Sequence, residues 1–292
     1  MTHDIITNLE VTRHIRLLGS SPNIYAWDFI QGPYGPSRSY VLRSTEKGPV
    51  GCTSFRPTDI KLGEVIYPAS LNHGTKLDVD YPNFLKETKQ PEWNAQAVVS
   101  LAVPKNMSAQ YVKAGWLHLG DAIILAKAEC VDKGFSCLAV PQLTQEIDKF
   151  SLEVVKKFSF AIIKGSTILN WRTGGPRRYV HYLLRPGEFR GYMIMTYWDY
   201  DAHIVDFKAK SQADLEEMLL SAESFAAGKR SLKVWSNFKD PFQEVFLAHG
   251  FEKTQVIKSL FLRLNEDSSN ISLATSLFKG NWMISGIDLE MM

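Results

Sequence analysis

The order of motifs in this chain occurs twice. Trp27-Asp28-Phe29 is followed by Gly35-Pro36-Ser37-Arg38-Ser39-Tyr40-Val41, and then by Val50-Gly51. Leu169-Asn170-Trp171-Arg172 is followed by Gly175-Pro176-Arg177-Arg178-Tyr179-Val180, and then by Gly191-Tyr192. Both halves close on the same kind of element, Tyr111-Val112-Lys113-Ala114-Gly115-Trp116 in one and Phe246-Leu247-Ala248-His249-Gly250-Phe251 in the other. Two diverged copies of one module account for this order. At 292 residues the chain is long enough for each copy to bury its own core. Pro141-Gln142-Leu143 is the expected junction, which places the halves at 1–142 and 143–292.

Composition narrows the partners. A net charge of +2, with Lys and Arg spread along the chain, argues against a dominant phosphate-backbone footprint and so disfavours nucleic acid. Three cysteines, Cys52, Cys130 and Cys137, form no disulfide framework and no zinc spacing; buried or free thiols in a reducing compartment are expected. No apolar run reaches the length of a membrane span, and Thr7, Asn8 and Glu10 interrupt the short N-terminal apolar stretch at once. A cytoplasmic protein is expected, with no membrane partner. No His cluster has metal-ligand spacing and no serine-hydrolase elbow occurs, so no metal is expected.

Periodicity orders the elements alike in each half. Residues 8–18 carry a helical stripe, and 39–44 and 50–55 read as strands about a turn at 46–49. Strands over 62–67 and 75–79, a short helix over 83–89, a buried strand over 97–103, a helix over 108–113 and a strand over 122–126 follow. In the second half, 145–158 reads as an amphipathic helix. Strands are expected at 179–184 and 192–197, about a turn at 185–187, and again at 203–207, 232–235 and 255–264. Helices are expected at 215–227, capped by Ser211 or Asp214 and ended by Gly228, and at 241–248. The sum is an α+β fold, each half a mixed, mostly antiparallel sheet flanked by helices.

With these residues in view, the chain resembles the GNAT acyltransferase superfamily in its tandem form, and most nearly the double-GNAT proteins encoded with bacterial polysaccharide-biosynthesis genes. Trp27-Asp28-Phe29 with Pro33-Tyr34-Gly35, the Leu169 to Arg172 element, the Gly-aromatic closes and the final Trp282 to Asp288 stretch carry the likeness. The resemblance implies acyl-CoA or acetyl-CoA as co-substrate, its pantetheine arm entering a gap between splayed strands. It implies an amine on a small molecule or amino sugar as acceptor. The family's phosphate loop, Arg/Gln-x-x-Gly-x-Gly/Ala at a helix N-terminus, is missing in both halves: 73–83 holds one Gly and two Asp, and 205–212 holds no Gly. Two other readings therefore stay open, a non-catalytic ligand-binding or scaffold protein of GNAT fold and a Fem-type aminoacyl-tRNA-dependent transferase. A homodimer is also left open.

The resemblance implies roles for particular residues, each with a plainer alternative. Tyr111 stands where a family tyrosine protonates the departing CoA thiolate, and a core aromatic is the alternative; Phe246 at the matching place has no proton to give. His73 and Asp78 lie where the donor would approach and suit a general base, or a surface loop. Asn106, Lys208 and Ser211 are candidates for holding the donor, against helix capping and a solvated edge. Trp27, Tyr34, Arg172, Asp206 and Asn237 are candidates for contacting the acceptor, against packing and turn roles.

Overall fold

Strand and helix boundaries follow burial periodicity. The computed structural model describes residues 2–5, 22–44, 48–77, 95–175, 178–184, 188–264 and 280–286. The expected helices at 8–18 and 83–89 lie outside these residues, as do residues 46–47 of the 46–49 turn and the whole 185–187 turn.

The chain forms two compact units. Unit 1 comprises Met1–Ile60, Ile66–Leu119 and Ser259–Asn270; unit 2 comprises Lys61–Val65, Gly120–Lys258 and Ile271–Met292. Compactness thus places Gly120 to Gln142 with the later residues and Ser259 to Asn270 with the earlier ones, where a single cut at 142 does the reverse. Residues 122–128 pair with 231–237, and Phe261 packs in the core of unit 1.

In unit 1, β1 (Thr2–Ile5), β2 (Arg38–Ser44), β3 (Gly48–Leu62), β4 (Val65–Leu77) and β5 (Ala97–Pro104) lie in that order. β1–β2 and β2–β3 are antiparallel, and β4–β5 is parallel. The Trp27 motif is helical: one turn, α1 (Pro22–Tyr25), runs into a π-type turn at Ala26–Ile30. A 3₁₀ turn at Lys105–Met107 leads into α2 (Ser108–Lys113). The core gathers Tyr40, Phe55, Val98, Val103, Tyr111 and Trp116 around Phe261.

Unit 2 draws on β6 (Leu117–Ala128), β7 (Leu138–Val140), α3 (Glu146–Val155), β8 (Phe160–Ile163) and α4 (Ser166–Thr173). Then come β9 (Tyr179–Leu184), β10 (Gly191–Trp198), β11 (Asp201–Ala209), α5 (Gln212–Ala226), β12 (Ser231–Asn237), α6 (Gln243–Ala248), β13 (Glu252–Leu264) and β14 (Trp282–Met283). The order here is β6-β12-β11-β10-β9-β7, antiparallel except for the parallel pair β11–β12. β8 and α4 carry no strong period of their own, and the Leu169 to Arg172 motif proves to be the body of α4.

α5 shows why the helices form. Leu215, Met218, Leu219, Ala222 and Ala226 repeat at helical spacing and are buried against the sheet. Ser211 caps its first turn by accepting from the Asp214 amide at 3.2 Å, worth about 1 kcal/mol.

α2 and α6 end identically. Gly115 (φ 83°) and Gly250 (φ 81°) take the left-handed conformation, which glycine adopts without a Cβ penalty. Each donates to the residue three before it, Val112 or Leu247, at 3.0 Å. The following aromatic then donates to Tyr111 O or Phe246 O, at 3.1 Å in both units. The repeated Gly-aromatic close is therefore a backbone requirement.

Candidate functional site

In both units the parallel pair parts midway. β4 and β5 are registered at Ala69↔Ala97, Ser70↔Val98, Leu71↔Val99 and Asn72↔Ser100, with no further pair among the described residues although both strands run on. β11 and β12 keep only Ala202↔Leu232, His203↔Lys233 and Ile204↔Val234. A bulge sets the parting point in unit 2. Met195 faces Ile204 while Ile194 faces Asp206, which leaves Val205 as the extra residue.

The last rung of unit 1 carries a buried neutral network. Asn72 donates from Nδ2 to Thr53 Oγ1 at 2.6 Å, and its Oδ1 accepts from Thr75 Oγ1 at 2.9 Å and Ser100 Oγ at 3.1 Å. Thr53 and Thr75 hydroxyls lie 2.7 Å apart. The Tyr111 hydroxyl joins from α2, 3.3 Å from Ser100 Oγ and 3.4 Å from Asn72 Oδ1. Its ring is clamped, stacked on Phe261 at 4.9 Å and edge-on to Trp116 at 5.2 Å. Burial raises the Tyr111 pKa, more than its bonds to Ser100 and Thr75 lower it. The phenol is therefore protonated at neutral pH and a weaker acid than an exposed tyrosine.

Unit 2 is charged at the same stage. Asp206, two residues past the last rung, is 1% exposed; Lys164 Nζ donates to Oδ1 at 2.9 Å and Tyr192 OH to Oδ2 at 2.9 Å. Burial would raise this carboxyl, but Lys164 and Lys208 hold it below the usual carboxylate range. The acceptor contact expected of Asp206 meets a carboxylate whose two oxygens are already engaged by Lys164 and Tyr192.

The remaining sequence candidates scatter. His73 follows Asn72 on β4, one residue past the last rung. Asp78 lies outside the described residues. Asn106 is exposed in the 3₁₀ turn, and neither that turn nor α2 has a side-chain cap, so capping is corrected for this residue. Lys208 is 1% exposed and donates to Ser151 Oγ, which replaces the expected solvated edge. Ser211 is a helix cap and also donates to Asp214 Oδ2 at 2.6 Å. Trp27 is half-buried beside Asp28, which pairs with Arg56 at 3.2 Å, and Tyr34 is 47% exposed. Arg172 is buried with its guanidinium 5.6 Å from the Trp171 ring centre. Asn237 ends β12 fully buried; its Oδ1 accepts from Lys239 N at 2.9 Å and its Nδ2 has no partner among the described residues.

Sequence reasoning reached Tyr111 but missed the network that holds it. Thr53, Asn72, Thr75 and Ser100 are small polar residues inside apolar strands. The alternation that makes them inward-facing is visible only once register is known.

A parallel pair that parts behind a bulge, flanked by a Gly-closed helix and a helix after the first parted strand, decides the architecture. This is the fold of the GCN5-related N-acetyltransferases. A GCN5-related N-acetyltransferase (GNAT) structure from Anabaena variabilis has 14% identity to this chain at TM-score 0.63, over 90% of this chain and 72% of its own. A probable N-acyltransferase from Enterococcus faecalis aligns at TM-score 0.65 with 12% identity over 90% and 72%. The N-myristoyltransferase of Saccharomyces cerevisiae, solved with bound myristoyl-CoA, aligns at TM-score 0.62 with 10% identity over 97% and 89%. No protein-family model and no curated protein matches the sequence. At these identities the likeness establishes the GNAT fold and leaves the chemistry to the residues. Among the described residues no helix is long and apolar enough to cross a membrane. Among the same residues, no group of three His, Cys, Asp or Glu side chains is placed to hold a metal ion.

Proposed function

We propose that this protein is an N-acyltransferase built of two related GNAT-like units, in which unit 1 carries the reaction. The co-substrate is an acyl-CoA and the acceptor an amine on a small molecule or amino sugar. The observation that carries the reading is the Tyr111 hydroxyl, held at the last rung of β4–β5.

The chemistry follows from that placement. The acceptor nitrogen attacks the thioester carbon, the new C–N bond forms and the C–S bond breaks. The amine proton passes to a base, for which His73 and Asp78 are the candidates, and the thiolate takes the Tyr111 proton. Asn106 on the donor side, and Trp27 and Tyr34 on the acceptor side, complete the proposed unit 1 site. Titration calorimetry with acetyl-CoA and longer acyl-CoAs tests the reading directly; no heat at millimolar donor rejects it.

A second reading rests on a separate cavity in unit 2. About 550 Å³ is lined by Trp198, Trp235, His203, Lys233, Arg230 and Asp201, among others. Burial and the Lys233 charge hold the His203 imidazole at about 4, so it stays neutral near pH 7. Two indoles and a neutral imidazole suit binding of a ring-bearing ligand without catalysis. A ligand that binds while no acyl-CoA does would favour this alternative.

A further inference from the structure

Unit 2 contains its own occupant for the gap between its parted strands. Beyond Ile204↔Val234, the next residues of the two strands are Val205 and Trp235. Gly286 lies against both. A Cβ on Gly286 would stand 3.1 Å from Trp235 Cδ1, 3.3 Å from Val205 O and 3.5 Å from Val205 Cα. Gly286 thus stands against both strands at the first unpaired step.

The rest of the segment is anchored on either side. Ser285 Oγ accepts from Lys164 Nζ at 2.8 Å, and the same ammonium bonds Asp206 of β11 at 2.9 Å. Trp282 N donates to Lys239 O at 3.0 Å, just past the end of β12. β14 adds in parallel to β8, with Trp282 opposite Phe160 and Met283 opposite Ala161. The Trp282 indole is fully buried, 5.9 Å from Phe160 and 5.4 Å from Phe238 by ring centres. Ile284 and Ser285 are each 5% exposed.

The helix end that follows β11 is also spoken for. Asp214 stands in the first turn of α5, and Arg190 pairs with it at 2.8 Å and with Glu217. The positive end of the helix dipole therefore meets its own carboxylate rather than an outside anion.

We infer that Trp282–Gly286 is a permanent internal strand substitute that closes the unit 2 gap, so that an acyl donor is bound by unit 1 alone. The first clause stands on contacts within unit 2. The second rests on the acyl-CoA reading proposed above.

Hydrogen exchange read by mass spectrometry on the full chain separates the two. In the wild-type protein the amide of Val205, which faces no residue of β10, exchanges at least about a hundredfold slower than in an unstructured chain, because it lies under the segment. Rates there like those of a free strand edge would overturn the inference. In Gly286→Trp the indole has no room beside Val205, and exchange at Val205 rises about tenfold or more while β2–β5 is unchanged. An unchanged rate at Val205 in a folded variant would also overturn it, and where the variant does not fold the wild-type rate decides. Saturating acetyl-CoA then slows exchange in β4 and β5 and leaves β11 and β12 as they were. New protection in β11 and β12 would show that unit 2 takes the donor, against the inference. No protection anywhere, together with no calorimetric binding, rejects the acyl-CoA reading while the donor-free comparison still judges the segment.

Discussion

Tyr111 and Phe246 occupy the same place in two helix ends of matching geometry. Each carbonyl accepts from the aromatic amide five residues later, Trp116 N and Phe251 N, at 3.1 Å in both. Both rings are buried in aromatic clusters, Tyr111 with Trp116 and Phe261, Phe246 with Phe207 and Phe251. The single oxygen by which they differ meets Asn72 and Ser100 in unit 1. Packing selected an aromatic ring at both positions, and the local polar network selected a phenol at only one.

Tyr111→Phe therefore keeps the fold and removes the proton donor. We expect kcat with an acyl-CoA to fall about 100-fold while donor affinity measured by calorimetry stays within about twofold. Equal loss of donor affinity would make Tyr111 a packing residue only. The reverse change, Phe246→Tyr, places a hydroxyl in an apolar cluster and should cost about 1–3 kcal/mol in urea unfolding.

Gly115→Ala and Gly250→Ala test the helix closes. A Cβ at Gly115 meets nothing within 4 Å and one at Gly250 meets only Lys127 Cε at 3.9 Å, so the cost is backbone strain alone. Each should destabilise by about 1 kcal/mol, read as a drop in Tm. A loss several times larger would mean that the close does more than turn the chain.

Lys164→Met breaks a buried pair. It leaves the Asp206 carboxylate without its ammonium partner, at a cost of about 3–5 kcal/mol by chemical denaturation. The pH dependence has a definite sign. Asp206 is held below its ordinary pKa, so its contribution is present above the unfolded value and is lost as pH falls through the folded one. The wild type should weaken below about pH 4 through this group, and Lys164→Met should lose that part of the acid dependence.

Asp240 titrates the other way. Burial raises its carboxyl to about 6, against the bonds from Phe242 N at 2.9 Å and Ser236 Oγ at 3.0 Å that favour the charged form. A raised carboxyl contributes stability below its unfolded pKa and loses it as pH rises through the folded value. Stability should thus fall by about 1–3 kcal/mol between pH 4 and pH 6, and Asp240→Asn should flatten that slope. A carbon-13 titration of the Asp240 carboxyl gives the value itself.

Local signals carried a large share of the fold. The strand at 179–184 and the helix at 108–113 match their expected ends, because each combines a clear period with a turn residue at its edge. α5 was legible from Ser211, its apolar stripe and Gly228. α4 and β8 were not, since α4 has polar residues on all sides and β8 is four residues long. For Lys208, a candidate for holding the donor, the plainer alternative is a solvated edge, because lysine is seldom buried. Ser151, on a helix 57 residues earlier in the chain, is what receives its ammonium.

The amino-acid sequence by itself determined the recurring local elements: the Gly-aromatic closes, the strand pairs after each Gly-Pro, and the asymmetry of Tyr111 against Phe246. These are local choices, a left-handed backbone here and a ring there, and they are written where they act. Only the tertiary structure decided which residues surround the parted strands. Asn72 meets Ser100, Lys164 meets Asp206, and Gly286 enters beside Val205 through chain separations that no local period records. Such contacts follow from strand register and from where a distant segment returns, and both are set by burial of the whole core.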